Sequence, residues 1–460
     1  MSPTPPHIEK LPLELLIRIN ESLSWDSRLA LASTSSNLRS SLAPLIFNSI
    51  KITSNTQGER DLERLVDKYG SSTTRLHFVA SMSSGMPSDV LAPTSGGNGV
   101  PDQDDHGSQE SADTPNATRR LMTDLAHDAL TGKLLPKVKT VCLSFDFDFD
   151  SDDVQWDDGN WITAADDTTS IYVFTEEEAA DIVPMKEAKY PWRALMAQTW
   201  SALCQNSFIT KLIVLNLIPR KTTTFDLDDW RNFLGRLETL ELRMWGGDNG
   251  AGWEANTLEG YMAYEARLGE YFFRHLNQVQ QLLFVAYSSC PFGSTEEGQG
   301  DDVEHDVAFP LSKDYLPRLR FLELHNIFVS KRLADFILSK SATLSEVRLH
   351  DCHASTYDEE KISWAAFFTH LDHNKCQLRE LDITYKQGDA ATIDEECRPK
   401  KENEEDRVFS YGMLDDKYGF FMADDEQICE KYEERRDLDA YRKLMELVSS
   451  NAKDVARGHL

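Results

Sequence analysis

Residues 319–324 read Leu-Arg-Phe-Leu-Glu-Leu, and residues 344–349 read Leu-Ser-Glu-Val-Arg-Leu. Both stretches carry an apolar residue at their first, fourth and sixth positions. The alternation at the end of the pattern predicts a β-strand whose alternate side chains face a core. Because the two copies begin 25 positions apart, we expect one structural unit to recur along the chain.

The same pattern is found in five further stretches. They are residues 138–143, 212–217, 237–242, 279–284 and 378–383. Segments with helical apolar spacing fall between the copies, at 192–204, 265–276, 331–339 and 364–371. A recurring strand and helix predict an α/β fold, an irregular leucine-rich-repeat-like solenoid in which each unit buries its apolar face against its neighbours. The alternative is a mixed α/β domain of another topology.

Polar segments interrupt this repeat region. Residues 60–80 are expected to form a linker and the first strand, and the leucine-rich-repeat-like domain is expected to span 120–386. Residues 81–119 are rich in Ser, Gly, Pro and Asp and poor in large apolar residues, so they are predicted to be a disordered insertion. A second, acidic insertion spans about 146–190 and is likewise predicted to be disordered, and an acidic loop spans 387–406.

The C-terminal segment, residues 407–460, has a different pattern. Two short apolar runs, 408–412 and 418–422, flank a polar turn and predict a β-hairpin. Residues 426–448 then show helical apolar spacing. A hairpin and helix at this position are expected to cap the last repeat, since the exposed end of a solenoid needs a cover.

The N-terminal residues 8–52 predict a compact helical module. Leu and Ile return at helical spacing in three short segments, which are separated by residues 24–26 and 33–36. Pro12 stands at a helix start, where its missing N–H costs nothing. So short a unit buries too little surface to be a convincing independent domain, and we expect it to dock onto another protein.

The module contains an ordered set of residues: Leu11, Pro12, Glu14, Leu15, Ile19, Leu23, Asp26, Leu29, Leu31, Ala32, Ser33, Leu38, Arg39, Leu42, Pro44 and Phe47. With this set the module resembles the F-box, over about a tenth of the chain. Asn37 departs from the family pattern, which often has a basic residue there.

The resemblance implies a three-helix domain that binds the adaptor subunit of an SCF-type cullin–RING ubiquitin ligase. The repeats would then bind a substrate protein, and the chain would contribute no catalytic group. A non-catalytic repeat scaffold that acts outside ubiquitylation is the alternative. The residues expected to bury partly within the module and partly against the adaptor are Leu11, Pro12, Leu15, Leu29, Leu38 and Leu42.

The composition of the chain limits the expected binding partners and the expected cellular compartment. The formal net charge of −29 would repel a phosphate backbone, so nucleic acid is not expected as a partner. Seven cysteines without a CxxC pair suit a reducing compartment. No signal peptide and no apolar run long enough for a membrane span are found in the sequence, which predicts a cytoplasmic or nuclear protein without a membrane partner.

Linear motifs for catalysis are missing from the sequence, and no enzyme activity, cofactor or metal is expected. Residues 350–353, His-Asp-Cys-His, form the best metal-like cluster, with His325, His370, His373 and Cys376 as further ligands that the fold could bring near. The favoured interpretation makes Cys352 a turn residue of the repeat.

Two other features have structural interpretations that are favoured over functional ones. The acidic run 146–153 superficially resembles a calcium loop but lacks the required Gly and Glu, so it is interpreted as a continuation of the preceding strand. Trp230, Trp245 and Trp253 could be recognition anchors, although packing in the core or over loops is the favoured interpretation.

Overall fold

A nine-stranded parallel sheet forms the centre of the protein in a computed structural model. The structure describes residues 8, 11–55, 59–81, 121–147, 171–293, 307–356, 362–386 and 406–456. Neighbouring strands of this sheet follow one another along the chain. They are β1 Ser49–Thr53, β2 Arg75–Ser81, β3 Thr140–Asp146, β4 Lys211–Leu217, β5 Thr239–Met244, β6 Gln281–Val285, β7 Phe321–His325, β8 Glu346–His350 and β10 Glu380–Thr384.

Helices precede the sheet, connect most of its strands and follow it. The chain is therefore a mixed α/β protein, as the sequence predicts. The described α-helices are α1 Leu13–Ser22, α2 Trp25–Ser33, α3 Ser36–Ile46, α4 Glu59–Tyr69, α5 Asp124–Leu130, α6 Ile182–Lys189, α7 Pro191–Gln205, α8 Asp228–Gly235, α9 Glu259–Ala266, α10 Leu268–Tyr271, α11 Lys331–Ser339, α12 Trp364–His373, α13 Asp425–Glu434 and α14 Arg436–Ala456.

Two apolar rows run across the strands on the side that faces the helices. Leu240 of β5 lies opposite Leu212 of β4 and Leu282 of β6, and all three side chains are fully buried. The second row, two residues further along each strand, includes Leu242 and Phe284. Strand side chains alternate between the two faces, so the x-apolar-x-apolar ending of each repeat places one pair of residues in these rows.

The copy predicted at residues 212–217 is wrong in its phase. The residues that enter the two rows are Leu212 and Val214, preceded by buried Ile209, whereas Leu215 is 37% exposed. Leu217 is buried as well, because the register shifts between Val214 and Leu217. Nearly every residue of this strand is apolar, so two phases of the pattern fit the sequence equally well.

The single helix predicted over residues 265–276 is also wrong. The chain instead forms α9, α10 and a 3₁₀ turn at Phe273–His275. Tyr271, Phe272 and Phe273 are consecutive and all buried. Successive residues of a regular α-helix point about 100° apart, so three in a row cannot all face one core, and the helix breaks.

A second sheet and two helices close the C-terminal end. β11, Tyr411–Leu414, pairs antiparallel with β12, Phe421–Ala423, as the predicted hairpin requires, and parallel with β9, Ala354–Ser355. The helix predicted over 426–448 is divided into α13 and α14 by Arg435, which has a φ of 57°. Helix α14 packs against α12 and β10.

The described part of the predicted acidic insertion, about 146–190, contributes to the core. Residues 148–170 lie outside the described part of the chain, as do 82–119 and 387–405 of the other predicted insertions. Ile171 and Phe174, however, are buried in the main core. Apolar residues within this acidic stretch therefore anchor it, which corrects the prediction of disorder for residues 171–190.

Glu178 anchors residues 171–190 through a buried ionic cluster. Both of its carboxylate oxygens accept hydrogen bonds from the Arg193 guanidinium at 2.7 Å. Lys186 Nζ lies 3.2 Å and Arg220 Nε 3.6 Å from Oε1. Burial alone would raise the pKa of Glu178, but the hydrogen bonds and charge of Arg193, with Arg220 and Lys186, lower it to about 2 from 4.5.

The register of β4 is tested by one substitution at two positions. Leu212→Ala should lower the free energy of unfolding by about 2–5 kcal/mol because it leaves a cavity in the buried row. Leu215→Ala should change it by only about 0.5 kcal/mol, as at other exposed positions. Urea unfolding followed by circular dichroism measures both; equal losses would mean that Leu215 also faces the core.

Removal of the Glu178 charge should be strongly destabilising. Glu178→Gln leaves Arg193 and Arg220 without a counter-ion, which costs about 3–5 kcal/mol for a broken buried pair. Lys133→Gln, which breaks an exposed pair with Asp128, should cost less than about 1 kcal/mol.

The pH dependence of the Glu178 effect has a defined sign. Because the folded-state pKa is depressed, the carboxylate stabilises the protein fully above about pH 4.5, the ordinary pKa, and this contribution is lost as the pH falls towards 2. The difference in unfolding free energy between the wild type and Glu178→Gln should therefore shrink over that range. A constant difference would contradict the assignment.

Candidate functional site

Helices α1–α3 form a small module with a core of its own. Its side chains make a cluster separate from the main core in the described part of the chain. Ser24 and Ser35 accept hydrogen bonds from backbone N–H groups at the starts of α2 and α3, so the polar breaks in the sequence become helix N-caps. The buried members of the core are Leu16, Ala32, Leu38, Leu42 and Ile46.

The six predicted partner-binding residues divide between the interior and the surface of this module. Leu38 and Leu42 are buried within it, and Leu11 is half-buried against its core. Pro12 is exposed, Leu15 is 46% exposed and Leu29 is 42% exposed. Large apolar side chains exposed to this degree are available to a partner, whereas Leu38 and Leu42 hold the module together.

The module is joined to the large sheet through its last helix. The Phe47 ring, just after α3, stacks on Tyr69 at the end of α4, with 3.9 Å between ring centroids. Thr73 Oγ1 donates to the Phe47 carbonyl at 2.9 Å. The chain then enters β1 directly, so residues 49–52 of the predicted F-box range belong to the sheet.

The side of the nine-stranded sheet that faces away from the connecting helices is called the open face here. It consists of the outward residues of β1–β8 and β10, which alternate with the buried pairs. Basic residues lie at its N-terminal end, among them Lys51 and Arg75, and half-buried apolar residues such as Ile213 and Leu283 lie at its middle. Its C-terminal end, from β7 onwards, is dominated by acidic residues and histidines.

Three potential metal ligands meet on strands β7 and β8 of the open face. His325 Nε2 lies 2.8 Å and His350 Nε2 3.7 Å from Glu323 Oε1. The two imidazole rings are 4.5 Å apart between centroids, because strand register places His325 opposite His350. Burial lowers the pKa of His325, although the hydrogen bond to Glu323 opposes that shift.

The His-Asp-Cys-His cluster of residues 350–353 is not kept together by the fold. His350 lies on the open face, but Cys352 is fully buried and donates to the carbonyls of Leu324 and His350 at 3.6 and 3.5 Å. His353 is buried beside Ser410, 2.8 Å from its hydroxyl, and burial lowers its pKa to about 3. Cys352 is thus a residue of the turn after β8, which agrees with the interpretation favoured from the sequence.

The more distant candidate ligands do not join His350, except for His325. His370 pairs with Asp335 at 2.6 Å, between helices α12 and α11. Glu323 was not recognised in the sequence as a member of the group. The available signal was its position in the repeat, two residues before His325 on the same strand, which places both side chains on one face.

The three tryptophans have different environments. Trp230 is fully buried, and its indole N–H donates to the Tyr271 carbonyl at 2.8 Å, so the core interpretation is confirmed. Trp245 is half-buried and packs on Phe174. Trp253 is also half-buried and contacts the Tyr418 ring at 4.8 Å between centroids.

Comparisons with known proteins leave the family open. The sequence matches no protein-family model, and no curated protein is detectably similar to it. Within the described ranges, no helix combines the length and apolar character needed to cross a membrane. The assignment of function therefore depends on the geometry of the module and of the open face.

The separate core of the module predicts a local response to mutation. Leu42→Ala should leave a cavity costing about 2–5 kcal/mol, felt mainly in α1–α3. Amide hydrogen exchange should accelerate there and stay unchanged in β5–β7, while Leu15→Ala, at an exposed position, should leave both unchanged. Uniform loss of protection across the sheet would show that the module and the sheet unfold as one unit.

Proposed function

We propose that this chain is a substrate-recognition subunit of an SCF-type ubiquitin ligase. In this proposal residues 8–48 form an F-box that binds the adaptor, and the strands and helices that follow form a divergent leucine-rich-repeat solenoid that binds a substrate protein. The observation that carries the proposal is the conjunction of the two parts: a three-helix module with exposed leucines, followed directly by a parallel sheet in chain order.

The helical module supports adaptor binding through its surface. Leu15 and Leu29 expose large apolar side chains, although the module already has a filled core of its own. Burial of such a side chain contributes about 1.5–3 kcal/mol, so both residues are suited to anchor a partner. Their positions also match the leucines of the F-box pattern.

The turns after the strands support the solenoid. At the end of β4 and in the turns after β7 and β8, a polar side chain donates a hydrogen bond to the backbone of the preceding strand or its following turn. Asn216 donates to the Phe145 carbonyl, Asn326 to the Tyr287 carbonyl, and Cys352 to the Leu324 carbonyl. Such contacts satisfy backbone carbonyls of the adjacent unit. Of the three donors, Cys352 stands at the position where the repeat pattern has Asn or Cys, three residues after the last apolar strand position, and Asn326 is one step off.

The open face supports a binding role for the repeats. It presents charged, aromatic and apolar side chains from nine adjacent strands on a continuous surface. Stacked repeats characteristically use such extended surfaces to bind other proteins. In the proposed function, the ligase would accelerate ubiquitin transfer by holding the substrate near the charged enzyme, without a catalytic group from this chain.

Adaptor binding is tested with two charged substitutions on the module surface. Leu15→Asp combined with Leu29→Asp should weaken binding of the full chain to purified adaptor by roughly tenfold or more, because a carboxylate would be desolvated in the interface. Point substitutions are preferable to deletion of residues 8–52, which would also remove β1. Biolayer interferometry measures the affinity, and circular dichroism verifies the fold.

The matched control is Leu227→Asp, a leucine that is 50% exposed outside the module. It should leave adaptor binding unchanged. No binding of the wild-type chain to the adaptor, or equal binding by the double variant, would overturn the proposal. Adaptor binding without any partner that accumulates in ubiquitylated form under proteasome inhibition would favour the scaffold alternative.

A further inference from the structure

The geometry points to a divalent transition-metal site formed by Glu323, His325 and His350 on the open face, and we propose that it binds Zn²⁺. Among the described residues this is the group of three potential ligands whose atoms all lie within 4.8 Å of one another. The proposal does not rest on membership of a ligase, since the site belongs to the isolated chain.

The distances between the ligand atoms suit a tetrahedral ion. Zinc bonds to His and carboxylate ligands are about 2.0–2.2 Å long, so two ligand atoms on one zinc lie about 3.3 Å apart. Glu323 Oε1 is 2.8 Å from His325 Nε2 and 3.7 Å from His350 Nε2, on either side of that value. Small rotations of these three side chains would therefore bring them to one ion.

His350 has the outer hydrogen bond that metal-binding histidines commonly have. Its Nδ1 contacts Thr384 Oγ1 on β10, the next strand of the sheet. In the tautomer in which Nδ1–H donates to that hydroxyl, Nε2 directs its lone pair towards Glu323 and His325. Such a bond orients a ligating imidazole and supports its affinity for the metal.

The arginine side chains near the proposed site form ion pairs with other carboxylates. Arg348, opposite Glu323 in the register, forms ion pairs with Glu346 and Glu380. Arg243 on β5 pairs with Glu241 at 2.7 Å. With these guanidinium groups paired to other carboxylates, Glu323 remains available as the anionic ligand of the site.

The ligand set selects the class of ion. Two imidazoles and one carboxylate suit Zn²⁺ and related transition metals, whereas Mg²⁺ and Ca²⁺ prefer oxygen ligands. Glu323, His325 and His350 have side-chain exposures of 16%, 26% and 22%, so an ion could enter from solvent. Three protein ligands leave a coordination position for water.

Metal titration of the purified, chelator-treated full chain tests the site. Zn²⁺ competed against a chromophoric chelator should show one tight equivalent, and Co²⁺ should give the visible absorption of a low-symmetry site. His350→Gln and Glu323→Gln should lose that equivalent and that absorption. Thr384→Val should keep the site but weaken Zn²⁺ binding by roughly 10- to 100-fold, as expected for loss of an outer hydrogen bond.

The matched control is His370→Gln. His370 is also hydrogen-bonded to a carboxylate, that of Asp335, but the two residues do not belong to a group of three potential metal ligands. It should bind Zn²⁺ as the wild type does, and it also controls for weak binding by the acidic surface. Equal stoichiometry in the wild type and His350→Gln, or a Co²⁺ spectrum unaffected by His350→Gln, would overturn the proposal. Unchanged thermal unfolding of the metal-free variants would exclude misfolding as the cause of a loss.

Discussion

The in-register pairing of nine parallel strands is the constraint on which the structure depends. Each strand obtains its hydrogen bonds from its neighbours, and its two inward side chains are covered by the corresponding pairs of the adjacent units. The same register also aligns the outward side chains. His325 and His350 become neighbours for this reason, although 25 positions separate them in the sequence.

A parallel sheet has an unpaired edge strand at each end, and different elements lie beside the two ends of this sheet. At the first strand the helical module is attached through the stacked rings of Phe47 and Tyr69. At the last strand α14 packs on β10, and the Asn451 side chain donates to the carbonyls of Cys376 and Leu378 at 2.9 and 2.8 Å. The packing of α14 on β10 protects that end of the sheet against pairing with other chains.

Periodicity was sufficient to predict most of the elements. The strands at 319–324 and 344–349, the helix at 331–339 and the C-terminal hairpin were all readable, because apolar and polar residues alternate clearly there. Prediction failed where that contrast is missing. The continuous apolar run 212–215 of β4 allows two phases of the pattern, and three consecutive aromatics near residue 272 break a helix that composition favours. Anchoring of residues 171–190 depends in part on Arg220, whose guanidinium donates to the carbonyls of Val173 and Glu176, 47 and 44 positions earlier in the sequence.

The sequence by itself determined the repeating unit, the separate helical module and the acidic character of the chain, since these follow from local spacing and composition. Only the tertiary structure decided which leucines of the module are exposed and which histidines meet. Leu15 and Leu16 are adjacent, yet one is exposed and the other buried. The physical reason is that exposure and ligand geometry depend on which segments pack against one another, and local periodicity does not specify those pairings.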